Sequence, residues 1–217
     1  MNLGELIIND ITPMGLNQQI SLIQQVFSNL TYSHIPVCDD DTYVGCISEN
    51  DSHCFESGVT VGDCRYAIEG FFVDWTTNWL EVLEAFAKNS ANIMPVLKNG
   101  KYIGYYELKD IISLFDQTPF FYQEGAVLIV KKGVKDYSFS EMSQIVESNN
   151  AKILGAFLTN LEGDSAEITL KINNTGLPDI LQTFRRYGYE ILAGFEDDAY
   201  IQNLKDRSDY LKKYLNI

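Results

Sequence analysis

The chain has 217 residues, enough for one large domain or two ordinary ones with buried cores, and its 46% hydrophobic and 21% charged residues are a folded rather than a disordered composition. Its net charge of −14 is uneven: residues 1–118 hold five basic residues against 16 acidic ones, and the remainder 11 against 14. So acidic a first half argues against nucleic acid, whose binding rests on neutralising phosphates, and against anionic membrane surfaces.

The N-terminus, Met1-Asn2-Leu3-Gly4-Glu5, has no basic cluster leading into an apolar run. No later stretch offers about 20 consecutive apolar residues, so neither a secretory signal nor a membrane span is expected and the cytoplasm is the default location. Cys38, Cys46, Cys54 and Cys64 form no C-x-x-C pair. They are expected to pack as small apolar residues rather than to bind metal.

In chain order, Ile20, Ile23, Val26, Phe27 and Leu30 form an apolar stripe at helical spacing, with Asn17 placed to cap it. Ile35–Cys38 and Tyr43–Ile47 read as two strands around a turn at Asp39-Asp40-Asp41, and Asp51 falls at or near the next helix start. The signals then recur. Asn78 precedes a helical stripe of Leu80, Val82, Leu83 and Phe86. Ile93–Leu97 and Tyr102–Tyr106 flank Asn99-Gly100, a preferred hairpin turn, and Asp110 begins a helix carrying Ile111, Ile112, Leu114 and Phe115. Pro36 and Pro95, Gly45 and Gly104, and Asp51 and Asp110 are each 59 residues apart. A duplicated β-α-β-β-α unit follows, neither copy burying both sheet faces alone. One two-repeat domain is expected over about residues 1–116, with repeat one at about 6–62 and repeat two at about 65–116.

Asp116-Gln117-Thr118-Pro119 reads as a boundary opening a linker over 117–125, because Pro119 blocks helix continuation. Ala126–Val130 is an apolar run fit for a buried strand, and Ser138 with Glu141 has capping-box spacing ahead of Met142, Ile145 and Val146. Ala151–Thr159 and Ala166–Ile172 read as strands around a turn at Leu161-Glu162-Gly163-Asp164. Pro178 sits near a helix start, Gly188 near its end, and Tyr189–Ala193 is a last strand. The β-α-β-β-α-β order over 126–197 is ferredoxin-like. Residues 198–217 read as a C-terminal helix that packs on its own domain or docks on a partner subunit.

The repeat, with h-P-V and then h-G-x-h-[ST]-x-x-D entering a helix, resembles a tandem pair of cystathionine-β-synthase (CBS) domains. Gly45-Cys46-Ile47-Ser48-Glu49-Asn50-Asp51 fits the motif in full. Residues 126–193 look like an ACT domain in element order, so the whole is similar to the CBS–ACT arrangement of acetoin-utilisation-type proteins, an α+β (α/β) chain. The resemblance implies a cleft for an adenine nucleotide or adenosine derivative such as AMP, ADP or an S-adenosylmethionine-like compound. Carried over, Asp51 would take ribose hydroxyls, Ser48 would face phosphate, and His34 would stand beside it as the basic residue. These assignments have alternatives: Asp51 and Asp110 suit helix starts, and His34, aligned with Ile93, also suits a packed histidine. The second copy keeps Asp110 but places Glu107 where the family has Ser or Thr. A carboxylate there would repel phosphate by roughly 1–4 kcal/mol at about 4 Å near a surface. One working pocket at most is expected.

In the ACT-like part, bulky Asp136 and Tyr137 crowd the loop after Gly133, where the family binds amino acids. A dimerising or sheet-extending role is the expectation there, and a homodimer is expected. No catalytic constellation is visible in the sequence, so no enzyme, cofactor or metal is expected. The expected function is a regulatory module sensing an adenosine compound. The alternatives are a ligand-free scaffold docking a basic protein partner, and an amino-acid sensor.

Overall fold

The computed structural model describes residues 3–173 and 176–194. The chain divides into two compact units, Met1–Phe115 and Asp116–Ile217, each described by itself.

The first unit opens with a 3-10 turn at Leu3–Leu6, followed by β1 (Met14–Gly15), α1 (Ile20–Asn29), β2 (His34–Asp39), β3 (Thr42–Ser48) and α2 (Glu49–His53). A second 3-10 segment, Gly62–Ala67, leads into β4 (Val73–Asp74), α3 (Trp79–Asn89), β5 (Ile93–Lys98), β6 (Lys101–Glu107) and α4 (Leu108–Asp116). The β-α-β-β-α duplication is therefore observed, as two three-stranded sheets ordered β1-β2-β3 and β4-β5-β6. The repeat holds at the level of register. Met14 pairs Val37 and Val73 pairs Val96 in parallel, and the hairpin ladders break at Val37/Cys38 and at Val96/Leu97.

Local chemistry accounts for the elements. α1 buries Ile20, Ile23 and Phe27, and α3 buries Val82 and Phe86. Asn78 caps α3 by accepting from the Leu80 and Glu81 N–H groups, both at 3.1 Å. Asn17 does not cap α1: the helix starts only at Ile20, and its cap position is Gln19, whose side chain makes no capping bond. There the backbone supplies the entry geometry, since Ile20 N–H donates to Val59 O at 2.9 Å. Asn99 and Gly100 both take positive φ, 51° and 77°, as the Asn-Gly hairpin turn requires. Cys38, Cys46 and Cys64 are buried, but Cys54 is exposed, one residue beyond α2.

The segments leading into the two copies cross over. Ile8, in the first leader, exchanges two backbone hydrogen bonds with Tyr105 of the second hairpin, both 2.9 Å. Glu69, in the second leader, does the same with Cys46 of the first hairpin, both 2.8 Å. This explains the motif glycines. A Cβ on Gly45 would sit 2.6 Å from Glu69 O, and one on Gly104 would sit 2.4 Å from Ile8 O. Both glycines also take positive φ, 153° and 143°. Ile11, Ile93 and Tyr105 form a small core cluster, with Ile8 and Tyr32 packed against it. The first copy is centred on Ile20, Ile23, Phe27, Ile35 and Ile47, and the second on Val82, Phe86, Met94, Val96 and Tyr106.

The second unit contains α5 (Pro119–Tyr122), β7 (Ala126–Gly133), α6 (Phe139–Ser148), β8 (Ile153–Glu162), β9 (Ser165–Ile172), α7 (Leu177–Arg186) and β10 (Glu190–Ala193). The strands form one antiparallel sheet ordered β10-β7-β9-β8, the ferredoxin-like order. Alternation along β7 and β9 buries Leu128, Val130, Ile168 and Leu170 against Met142, Ile145 and Phe184 of the helices. Pro119 does not merely stop a helix. It starts a short one inside the expected linker, where its missing N–H costs nothing. Ser138 caps α6 by accepting from Glu141 N–H at 3.4 Å, but the reciprocal half of the capping box is absent. The Glu141 carboxylate accepts instead from Lys132 Nζ at 2.6 Å. The expected helix over 198–217 lies outside the described residues.

Candidate functional site

The β2–β3 register sets His34 opposite Ser48, and Ser48 ends its strand as the cap residue of α2. Its Oγ accepts from Asp51 N–H at 3.0 Å and donates to Asp51 Oδ2 at 2.7 Å. Three of the four expected site residues, His34, Ser48 and Asp51, thus gather at the start of α2. Asp51 is close enough to favour a proton on the His34 ring electrostatically. Ser48 does not present a free hydroxyl proton, because it donates that proton to Asp51 while its oxygen accepts from the Asp51 N–H.

His34 is 5% exposed and lies edge-on to Phe71 at 5.2 Å between centroids. Its Nε2 is 3.3 Å from Glu69 Oε1 and its Nδ1 is 2.8 Å from Ser33 Oγ. Burial lowers its pKa below the usual histidine value, and the Glu69 carboxylate opposes that shift. Both ring nitrogens therefore already have partners within the chain, and the ring is held by packing. The neutral ring accepts the Ser33 proton and donates from Nε2 to Glu69. The imidazolium donates from both nitrogens and turns the Ser33 hydroxyl towards Asn92.

Ser33 and Asn92 occupy the same position in the two copies and bond to each other. Ser33 N–H donates to Asn92 Oδ1 at 2.8 Å, Asn92 N–H donates to Ser33 Oγ at 2.9 Å, and Ser33 Oγ lies 3.0 Å from Asn92 Oδ1. Tyr43 and Tyr102, also equivalent, stack at 6.2 Å with 9° between their planes. The two copies thus meet about a local pseudo-twofold axis, through polar groups here and aromatic rings there.

Around the second copy the chemistry differs. A cleft of about 480 Å³ opens beside the start of α4, lined by Leu30, Tyr32, Asn92, Glu107, Lys109 and Ile112 among others. Glu107 is only 8% exposed. Tyr32 Oη donates to its Oε1 at 3.0 Å, and the Lys109 ammonium pairs with its Oε2. Tyr32 and Tyr105 approach at 3.0 Å between hydroxyls, and Tyr105 donates to Asp10 Oδ1 at 2.5 Å. Burial is the main cause that raises the pKa of both phenols. Asp110 lies in the first turn of α4, the residue after Lys109 of the cleft wall.

Ser33, Asn92, Glu69, Tyr105 and Asp10 were not among the residues read from the sequence as site candidates. A signal existed for two of them: Ser33 and Asn92 are polar, 59 residues apart, and precede the two Pro-containing strands. For the others, pairing depends on the leader crossing, which has no local sequence signature.

No protein-family model matches the sequence, and no curated protein matches it. Among solved structures, the chain is similar to a CBS domain pair/ACT domain protein from Thermotoga maritima, at 15% identity over 53% of this chain and 96% of that one, with a TM-score of 0.48. It is similar to the CBS domains of a transcriptional regulator from Streptococcus pneumoniae, at 15% identity over 52% of this chain and 98% of that one, TM-score 0.46. It is also similar to CBSX2, solved in complex with AMP, at 16% identity over 54% of this chain and 96% of that one, TM-score 0.45.

Proposed function

We propose that the first unit is a non-catalytic regulatory module sensing an adenosine-containing ligand at the His34–Ser48–Asp51 cluster. The observation that carries this reading is the Ser48–Asp51 pair at the start of α2. One carboxylate oxygen is held by Ser48, so the side chain is oriented, and the other is the acceptor offered to a ribose hydroxyl. The surroundings select against high phosphate charge. His34 is committed to Glu69 and Ser33, Glu69 adds a second carboxylate, and Arg65 is the sole basic residue of the chain before Lys88. Adenosine, AMP or a cationic compound of the S-adenosylmethionine type fits better than ATP. Calorimetry with adenosine, AMP, ADP, ATP and S-adenosylmethionine, on the wild type and on Asp51→Ala, tests the reading. It is wrong if none of them binds, or if Asp51→Ala binds as the wild type does.

A second reading, a ligand-free homodimeric scaffold that docks a basic protein partner, draws on the internally satisfied Ser48 hydroxyl and the acidic first half. The same calorimetry separates the two. Amino-acid sensing by the second unit has less support. The loop after β7 closes on itself, Asp136 and Tyr137 N–H both donating to Gly133 O at 2.9 and 3.0 Å. The Asp136 carboxylate also lies against the face of Gly133.

A further inference from the structure

We propose that the cleft beside α4 is a second binding site, for a small organic ammonium compound whose charged nitrogen replaces the Lys109 ammonium on Glu107. It lies apart from the His34–Ser48–Asp51 cluster and does not depend on that assignment. Its volume of about 480 Å³ lies within the range of small-molecule pockets.

The cleft wall carries Glu107, whose side chain is only 11% exposed but keeps one carboxylate oxygen turned to a cation. Tyr32 fixes Oε1 through its hydroxyl, and Tyr32 is held in turn by Tyr105, so the carboxylate is oriented before any ligand arrives. Oε2 is met by Lys109, whose side chain is 73% exposed. The ammonium on Glu107 therefore comes from a side chain that is mostly in water. Such half-exposed pairs hold weakly, so an outside ammonium with further contacts can displace this one.

The rest of the wall supplies those contacts. Leu30 and Ile112 are exposed apolar side chains, 37% and 50% accessible, and the Tyr32 ring stands beside them. An amine with a compact apolar or aromatic body covers this surface while its nitrogen sits on Glu107. An anionic ligand of the same shape places its charge against a buried carboxylate and is rejected.

The test is calorimetry on the full chain with phenethylamine and, as the anionic counterpart, 3-phenylpropionate. The expected result is binding of the amine and not of the acid. Lys109→Ala removes the internal competitor and raises amine affinity by about threefold, the size of a surface ion pair. Glu107→Gln keeps the acceptor for Tyr32 but removes the charge, and lowers affinity at least about tenfold. Asp51→Ala leaves amine binding unchanged, which keeps this outcome separate from that of the adenosine site. Where a thermal melt shows Glu107→Gln to be unfolded, the Lys109→Ala comparison decides. The proposal is overturned if phenethylamine binds neither the wild type nor Lys109→Ala, if the acid binds equally well, or if Lys109→Ala weakens binding.

Discussion

Replacing Gly104 with alanine tests whether the leader crossing holds the first unit together. The new Cβ would lie 2.4 Å from Ile8 O and 2.6 Å from Ile7 Cγ2, on a backbone held at φ 143°. An L side chain at such a φ costs about 1–3 kcal/mol. The clash is with backbone, so the leader has to withdraw. That removes the two Ile8–Tyr105 hydrogen bonds, each 2.9 Å, at about 0.5–1.5 kcal/mol apiece. The expected loss is about 2–6 kcal/mol. Both tryptophans of the chain, Trp75 and Trp79, lie in the first unit, so urea denaturation followed by tryptophan fluorescence reads that unit alone. Gly58→Ala is the control: nothing lies within 4 Å of its added Cβ and its φ is not in the left-handed range. It should shift stability by no more than about 0.5 kcal/mol. If Gly104→Ala behaves like Gly58→Ala, the crossing does not bear on stability and the account of the motif glycines fails.

Four further outcomes are expected. Ser33→Ala and Asn92→Ala should each destabilise the first unit by about 1–3 kcal/mol, and the double variant should cost much less than the sum; additive losses in this cycle would mean the reciprocal bonds are not coupled. Because burial lowers the His34 pKa, the folded state binds fewer protons than the unfolded one just below the ordinary histidine value, so stability is present above about pH 6.5 and falls as pH drops through the folded value. His34→Gln should flatten this acid slope, and an unchanged slope would place its origin elsewhere. Asn78→Ala removes a cap bonded to two N–H groups and should cost about 1–2 kcal/mol in the same fluorescence assay, a loss absent from Gln19→Ala. Burial above all pushes the Tyr189 phenol up to about 12, so stability of the second unit should decline as pH rises from about 10 towards 12; Tyr189→Phe should remove that decline, as monitored by far-ultraviolet circular dichroism.

The register of the first unit was readable because a 59-residue period fixes three kinds of residue at once: a proline in a strand, a glycine opposite the valine that follows it and a carboxylate in the first turn of a helix. The ferredoxin-like arrangement of the second unit was readable from the order of its elements, β-α-β-β-α-β, marked out by apolar runs and turn residues. The leader crossing was not readable. Ile8 lies six residues before Met14, whereas Glu69 lies four before Val73, so the leaders drop out of the repeat where they change partners. His34 illustrates a second limit. A histidine two residues before a strand proline is compatible with binding phosphate or with packing, and only the positions of Phe71, Glu69 and Ser33 show how fully its ring is engaged. Likewise, Glu107 reads from sequence as a bare repelling charge, yet it is paired with Tyr32 and Lys109.

The exchange of leaders also bears on how far either repeat is an independent folding unit. Each hairpin has one edge completed by a segment that belongs, by chain order, to the other copy. A single repeat expressed alone keeps a leader with no hairpin to receive it and a hairpin with an open edge. Two such molecules supply each other's missing strand, so an isolated repeat should associate by arm exchange, with a stability that rises with protein concentration. In the intact chain the same exchange is intramolecular, and the covalent link sets the local concentration of each arm. Duplication thus replaces an equilibrium between molecules with one inside a single molecule.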